Sequence, residues 1–232
     1  MNTEIVVGFC NDHKTHCPYR AVSTCIRTGT TCTLCHSMNR DISLLITRLK
    51  GARESLDVGL ALSPAADTIP YEPYKHAGFR VFFQKGVSES ERIKSIFDEA
   101  VCLGYDSVVL LAHCAPNLPL HYLENALSEL RNGASLVLGP SDNAMFYLIG
   151  IKKMLYERIC SDGAFGSLSF ENLSMRDATV KTMKDYYNNC SLLPTWYTLR
   201  SIEDLKKFLR DSSRGVGWSA RWTYQFAQAI LG

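Results

Sequence analysis

The chain has 232 residues, enough for one α/β domain with a full core or for two small ones. With 46% hydrophobic and 21% charged residues it has the balance of a soluble globular protein, and a formal charge of +2 gives no basis for a nucleic-acid or membrane-surface partner. No apolar run reaches the ~18 residues that would suggest a membrane span. The start, "MNTEIVVGFCNDHK", has an acid ahead of a short apolar run and no small-residue cleavage site. It reads as a first strand and not a signal peptide, so the expected location is cytoplasmic.

In chain order, "EIVVGFC" (4–10) is short, apolar and partly β-branched, as a buried strand is. Residues 11–36 are polar, rich in Thr, Cys and His, and without a period; they read as a long loop with one helical turn. From Arg40 to Arg53, Ile42, Leu45, Ile46 and Leu49 follow helical spacing. "DVGLALSP" (57–64) is a second strand stopped by Pro64, "TIPYEPYKHAG" a loop or short helix, and "FRVFFQK" (79–85) a third strand. In "SESERIKSIFDEAVCLGY", Ser88 or Ser90 caps a helix with Glu91 in its early turns. Ile93, Ile96, Phe97, Ala100 and Val101 form its apolar face, and Gly104 ends it. "SVVLLAH" (107–113) has the continuous hydrophobicity of a central parallel strand covered on both faces. "PLHYLENALSELRNG" is an amphipathic helix closed by glycine, and "SLVLGP" and "MFYLIGIKK" are strands joined by a polar turn.

Strands alternating with helices at this spacing predict a three-layer αβα sandwich around a mostly parallel sheet. Ligands of such sheets sit outside the carboxyl ends of the strands, so the loops after residues 10, 63, 85, 113 and 140 should line any site. One domain is expected over residues 1–210, followed by a helical tail over 211–232. In that tail Trp218, Trp222, Phe226 and Ile230 recur at i, i+4 and make an apolar stripe. The stripe either packs back on the domain or forms a homodimer contact.

Nine cysteines, five of them in the first 35 residues, raise a metal question. Cys32 and Cys35 have zinc-ligand spacing, and Cys17 with His13, His16 or His36 would complete a set of nitrogen and sulfur ligands. The competing reading is a loop of small residues with reduced thiols.

The stretch "VVLLAHCAPNLPLHYLENALSEL…GASLVLGPSDNAMFYLIGIKK" resembles the bacterial glycosyltransferase-A-like family DUF2064. That family's pattern is a strand followed by Gly-Ser-Asp-Cys-Pro-Asp-Leu, a helix, then Gly-Pro-x-x-Asp-Gly-Gly-Tyr-Tyr-Leu-Ile-Gly. Upstream, "FFQKGVSESERIKSIFDEAVCLGY" is similar to its Gln-Gly-x-x-Leu-Gly-Glu-Arg-Met helix. Downstream, "LLPTWYTLRSIEDLKKFL" is similar to its Leu-Pro-x-Trp-x-Asp-Val-Asp-Thr-Pro-Glu-Asp-Leu. The likeness covers residues 57–210. It implies a nucleotide-diphospho-sugar transferase fold of the glycosyltransferase-A type, with a sugar nucleotide as ligand and Mg²⁺ or Mn²⁺ as the usual companion.

The departures fall where the resemblance puts carboxylates. Aligned without gaps, the family's acids fall on Cys114, Asn117, Asn143, Thr198 and Arg200, and its paired glycines on Ala144 and Met145. Thiols and amides supply none of the hard anionic oxygen that Mg²⁺ or Mn²⁺ prefers. A diphosphate bound without metal needs cations or helix N-terminal amides instead; Lys85 and Arg92 are available, unless they are ordinary surface charges. Asp142 either presents a carboxylate in place of Asn143 or bonds its own backbone as a turn residue. Cys114, at a strand end with no assured base, is a poor nucleophile, although His113 precedes it. The candidate nucleotide-binding residues are therefore Gly8, Lys85, Arg92, His113, Cys114, Asn117, Asp142 and Asn143, with Asp142 as the one catalytic candidate. Three functions remain: a sugar-nucleotide transferase, a non-catalytic binding protein on the same fold, and a nucleotidyltransferase, which demands metal carboxylates most strictly.

Overall fold

The computed structural model describes residues 3–10, 30–63, 72–142, 145–162, 189–213 and 220–231. Its elements in chain order are β1 (Glu4–Phe9), α1 (Thr30–Ala52), β2 (Asp57–Leu62), α2 (Glu72–His76), β3 (Arg80–Phe83), α3 (Glu89–Cys102) and β4 (Ser107–Ala112). There follow α4 (Leu120–Arg131), β5 (Leu136–Pro140), β6 (Phe146–Lys152), α5 (Lys153–Ser161), β7 (Cys190–Leu192), α6 (Ile202–Ser213) and α7 (Arg221–Leu231).

The strands form one sheet in the order β3-β2-β1-β4-β6-β5-β7. Only β6 runs against its neighbours, β4 and β5; the other pairings are parallel. All six residues of β4 are buried, and successive side chains alternate between two cores. Val108, Leu110 and Ala112 face a core shared with α3, α5, α6 and α7. Val109 and Leu111 face a core shared with α4 and the C-terminal half of α1. The expected three layers are therefore present, and "SVVLLAH" is the central strand its composition predicts.

Local signals explain several boundaries. Ser88 is the N-cap of α3: its Oγ accepts from Glu91 N at 3.2 Å, while Glu91 Oε2 accepts from Ser88 N at 3.0 Å. Gly104, at φ +92°, closes that helix in a conformation costly for a residue with a Cβ. The tail stripe packs back on the domain through α1 and α6, burying Phe226 and Ala227; Trp218 lies outside the described residues. The N-terminus of α7 is fixed by Asp41, which is 0% exposed and accepts from Trp222 N, Thr223 N and Thr223 Oγ1 at 3.2, 2.8 and 2.6 Å.

One expectation is corrected, and two elements are added. Helix α1 starts at Thr30, ten residues before the spacing suggests, because Leu34, Cys35 and Met38 are buried in a stretch whose intervening His36 and Ser37 hide the helical period. A further helix, α5, and a short edge strand, β7, follow β6 without a strong sequence signal. Among the described residues no helix is long and apolar enough to cross a membrane.

Candidate functional site

Strands β1 to β5 end at one edge of the sheet, and β6, being antiparallel, begins there. The segment 193–200 crosses this edge in a ladder of backbone hydrogen bonds. Leu193 N donates to Leu138 O at 2.9 Å, Trp196 N to Pro140 O at 3.1 Å, Asp142 N to Trp196 O at 2.9 Å and Leu199 N to Cys114 O at 2.7 Å. The turn after β4, the turn between β5 and β6 and the segment before α6 thus converge. These are the three blocks in which the sequence departs from the family pattern.

On the β3 side the polar groups hold one another. Gln84 Nε2 donates to Cys10 O and Ala61 O at 2.7 and 2.9 Å, and its Oε1 accepts from Arg92 Nη1 at 3.4 Å. Arg92 is 5% exposed and lies 5.8 Å over the Phe9 ring, so it is an interior cation and not the surface charge considered as its alternative. Lys85 is exposed, with its backbone N donating to Ser95 Oγ at 2.9 Å. Gly8 serves helix packing: a Cβ there would come within 2.9 Å of Ile42 Cγ2. Burial pushes the Cys10 thiol up to about 12, leaving it protonated at neutral pH.

On the β4 and β6 side His113 and Cys114 are both buried. Asn117 is 1% exposed; its Nδ2 donates to Tyr197 Oη at 2.5 Å and its Oδ1 accepts from Trp196 Nε1 at 3.4 Å. Trp196 and Tyr197 stack with centroids 5.3 Å apart. Burial raises the Tyr197 hydroxyl well above its ordinary range, so it stays neutral. Asn117 therefore positions an aromatic pair. Asp142 is exposed and pairs with Lys207, Oδ2 to Nζ 2.8 Å, and that ammonium lies 4.4 Å over the Tyr197 ring. Arg200, half-buried, donates from Nη1 to Met145 Sδ at 3.0 Å. Asn143 lies outside the described residues. Arg200 places a cation where the resemblance expects an acid, and Lys207 reaches Asp142 across 65 residues of sequence.

Among the described residues the donor set does not fit Mg²⁺ or Mn²⁺. Cys114, Asn117, Thr198 and Arg200 stand at the positions the resemblance assigns to carboxylates, and the one nearby acid of the turn, Asp142, is held by Lys207. Among the described residues there is no cluster of three His, Cys, Asp or Glu side chains able to hold a metal ion. Cys35 is buried against the core on α1 with His36 beside it, Cys32 is in the first turn of that helix, and Cys17 is outside the described residues.

Residues 47–167 match the bacterial family described as uncharacterized protein conserved in bacteria, DUF2064. The chain belongs to DUF2064. No curated protein matches it. Among solved structures, this DUF2064 chain is similar to a "putative nucleotide-diphospho-sugar transferase" from Desulfovibrio desulfuricans G20, with a TM-score of 0.72 at 22% identity over 99% of this chain and 95% of that one. It is similar to a cytidylyltransferase from Leptospira borgpetersenii serovar Hardjo-bovis, TM-score 0.50 at 15% identity over 92% and 95% of the two chains. It is also similar to Rv0371C of Mycobacterium tuberculosis H37Rv, solved as a manganese complex, TM-score 0.51 at 12% identity over 90% and 98%. These likenesses establish a nucleotide-diphospho-sugar transferase-like fold.

Proposed function

We propose that this DUF2064 member binds a sugar nucleotide at the carboxyl edge of its sheet and does not carry out metal-assisted transfer. The observation that carries the reading is the chemistry of that edge. The ladder from Leu193 to Leu199 aligns the turns around Cys114 and Asp142, as a ligand site requires, yet at the family's acidic positions Cys114, Asn117, Thr198 and Arg200 present a thiol, an amide, a hydroxyl and a guanidinium. Binding is supported by the edge's position in an open α/β sheet and by the likeness to a nucleotide-diphospho-sugar transferase structure. The absence of transfer is supported by the donor set. A transferring diphosphate builds up charge on its leaving oxygens, and neutral groups stabilise that charge far less than a dication does.

A thermal-shift screen on EDTA-treated protein tests this, with UDP-, GDP- and CDP-sugars as ligands, together with an assay for nucleotide diphosphate release. A ligand that binds only the folded state raises its melting temperature. The expected result is a shift with at least one sugar nucleotide, undiminished by EDTA, and no release when Mn²⁺ is added. No shift with any nucleotide would overturn binding; Mn²⁺-dependent release would overturn the non-catalytic reading.

A further inference from the structure

Ile42 and Ile46 lie on the inner face of α1, where a Cβ on Gly8 of β1 would meet them. Arg40, Leu44 and Thr47, at i, i+4 and i+7, lie on its outer face. Helix α2 has five residues, none of them buried, and is too short to cover that outer stripe. Between α1, α2 and the first turn of α7 lies a cavity of about 310 Å³, walled by Leu44, Pro73, Tyr74, Phe79 and Trp222 with Arg40 at its rim. The wall is built in place. The Tyr74 and Phe79 rings meet edge to face at 6.0 Å, and Trp222 is fixed by its backbone N donating to Asp41 Oδ1 at 3.2 Å. The Arg40 guanidinium is exposed and lies 4.2 Å over the Trp222 ring. Among the described residues no oxygen accepts a hydrogen bond from it. The neighbouring acid, Asp41, is buried and its oxygens are taken up by the three donors of α7. Burial first and the Arg40 charge second hold the His36 imidazole, one turn away, below its usual range, so that charge is still felt along this face.

We propose that this cavity is a second ligand site, which takes a small aromatic carboxylate with its ring on the apolar wall and its carboxylate on Arg40. The cavity is separated from the sheet by the thickness of α1, so the site is independent of the nucleotide reading. Its lining has the composition of a small-molecule site, mostly apolar and aromatic with a few placed polar groups, and its volume is at the lower end for such sites. One or two rings suit that volume, and one cation at the rim suits a monoanion better than a diphosphate. A planar guanidinium offers two N–H donors to the two oxygens of a carboxylate at once. Because the Trp222 ring already holds Arg40 in place, little side-chain freedom is lost when the ligand binds.

Titration of isotope-labelled protein, followed by NMR at the indole N–H signals of its three tryptophans, tests this. The probes are phenylacetate and naphthoate, each beside its neutral amide. Trp222→Phe assigns the Trp222 signal, and Trp196 at the sheet edge is the internal reference. The Trp222 signal should shift saturably with at least one carboxylate while that of Trp196 stays in place. The matching amide should bind about tenfold more weakly. Arg40→Met should remove the preference for the carboxylate, Arg40→Lys should restore part of it, and Leu44→Glu, which sets a like charge in the cavity, should abolish carboxylate binding. Arg40 is exposed, so its variants leave the core intact. No movement of Trp222 with either carboxylate at millimolar concentration, equal affinity for acid and amide, or a carboxylate preference that survives Arg40→Met would each overturn the proposal. None of these results bears on sugar-nucleotide binding at the sheet edge, so the two readings fail separately.

Discussion

Asn117 and Arg92 show how a polar residue at a sheet edge can serve the protein's own interior. Both have the chemistry of ligand contacts, and both are directed inward, Asn117 to Tyr197 and Trp196, Arg92 to Gln84 beside Phe9. The thiols follow the same rule. Cys10, Cys35 and Cys114 are buried, Cys10 with its ionisation pushed up to about 12, whereas Cys102 is exposed at the end of α3. Iodoacetamide at about pH 8, where a free thiol is substantially ionised, should therefore modify Cys102 readily and leave Cys10, Cys35 and Cys114 intact until the chain unfolds. Mass spectrometry of the folded and the denatured protein reads this directly. Modification of Cys114 in the folded protein as fast as Cys102 would restore it as a reactive group at an open site.

At the scale of elements, two caps make separable contributions. The reciprocal bonds of Ser88 and Glu91 begin α3, so Ser88→Ala should cost about 1 kcal/mol, seen as a lower denaturant midpoint with an unchanged slope. At the other end of the chain Asp41 anchors α7 from 181 residues away. Burial pushes its carboxyl above the usual carboxylate range, against the downward pull of the Thr223 and Trp222 donors and of Arg40. A raised folded value means that the native state holds this proton more tightly than the unfolded chain. That contribution is complete below the unfolded carboxylate range, about pH 3.9, and is lost as pH rises through the folded value. Asp41→Asn does not titrate, so wild type should lose stability relative to it as pH rises through that window. Parallel pH profiles of unfolding for the two proteins would show that Asp41 is not perturbed.

For the molecule as a whole, legibility in the sequence followed the range of the interaction. β4 was readable from its unbroken apolar run, and α3 and α4 from apolar residues at the helix period with a glycine just past each helix. The first turns of α1 were not, since Leu34, Cys35 and Met38 are separated by polar residues and Ser37 and Asn39 are buried with them. β7 is three residues long, too short to carry a period. The edge itself was legible as a place, from the strand ends, and as a set of missing acids. What stands there instead was not legible, because Arg200 meets Met145 across 55 residues and Lys207 meets Asp142 across 65, with no local pattern to announce either pairing. The result is a nucleotide-diphospho-sugar transferase-like fold whose carboxyl edge carries a thiol, an amide, a hydroxyl and a guanidinium at positions where the family pattern has carboxylates, and which we propose binds a sugar nucleotide without metal. Titration of wild-type protein with a sugar nucleotide, first in EDTA and then in Mn²⁺, tests that account most directly. Equal affinity in both, with no nucleotide diphosphate released, is the predicted result; binding that appears only with Mn²⁺, or turnover once it is added, would contradict it.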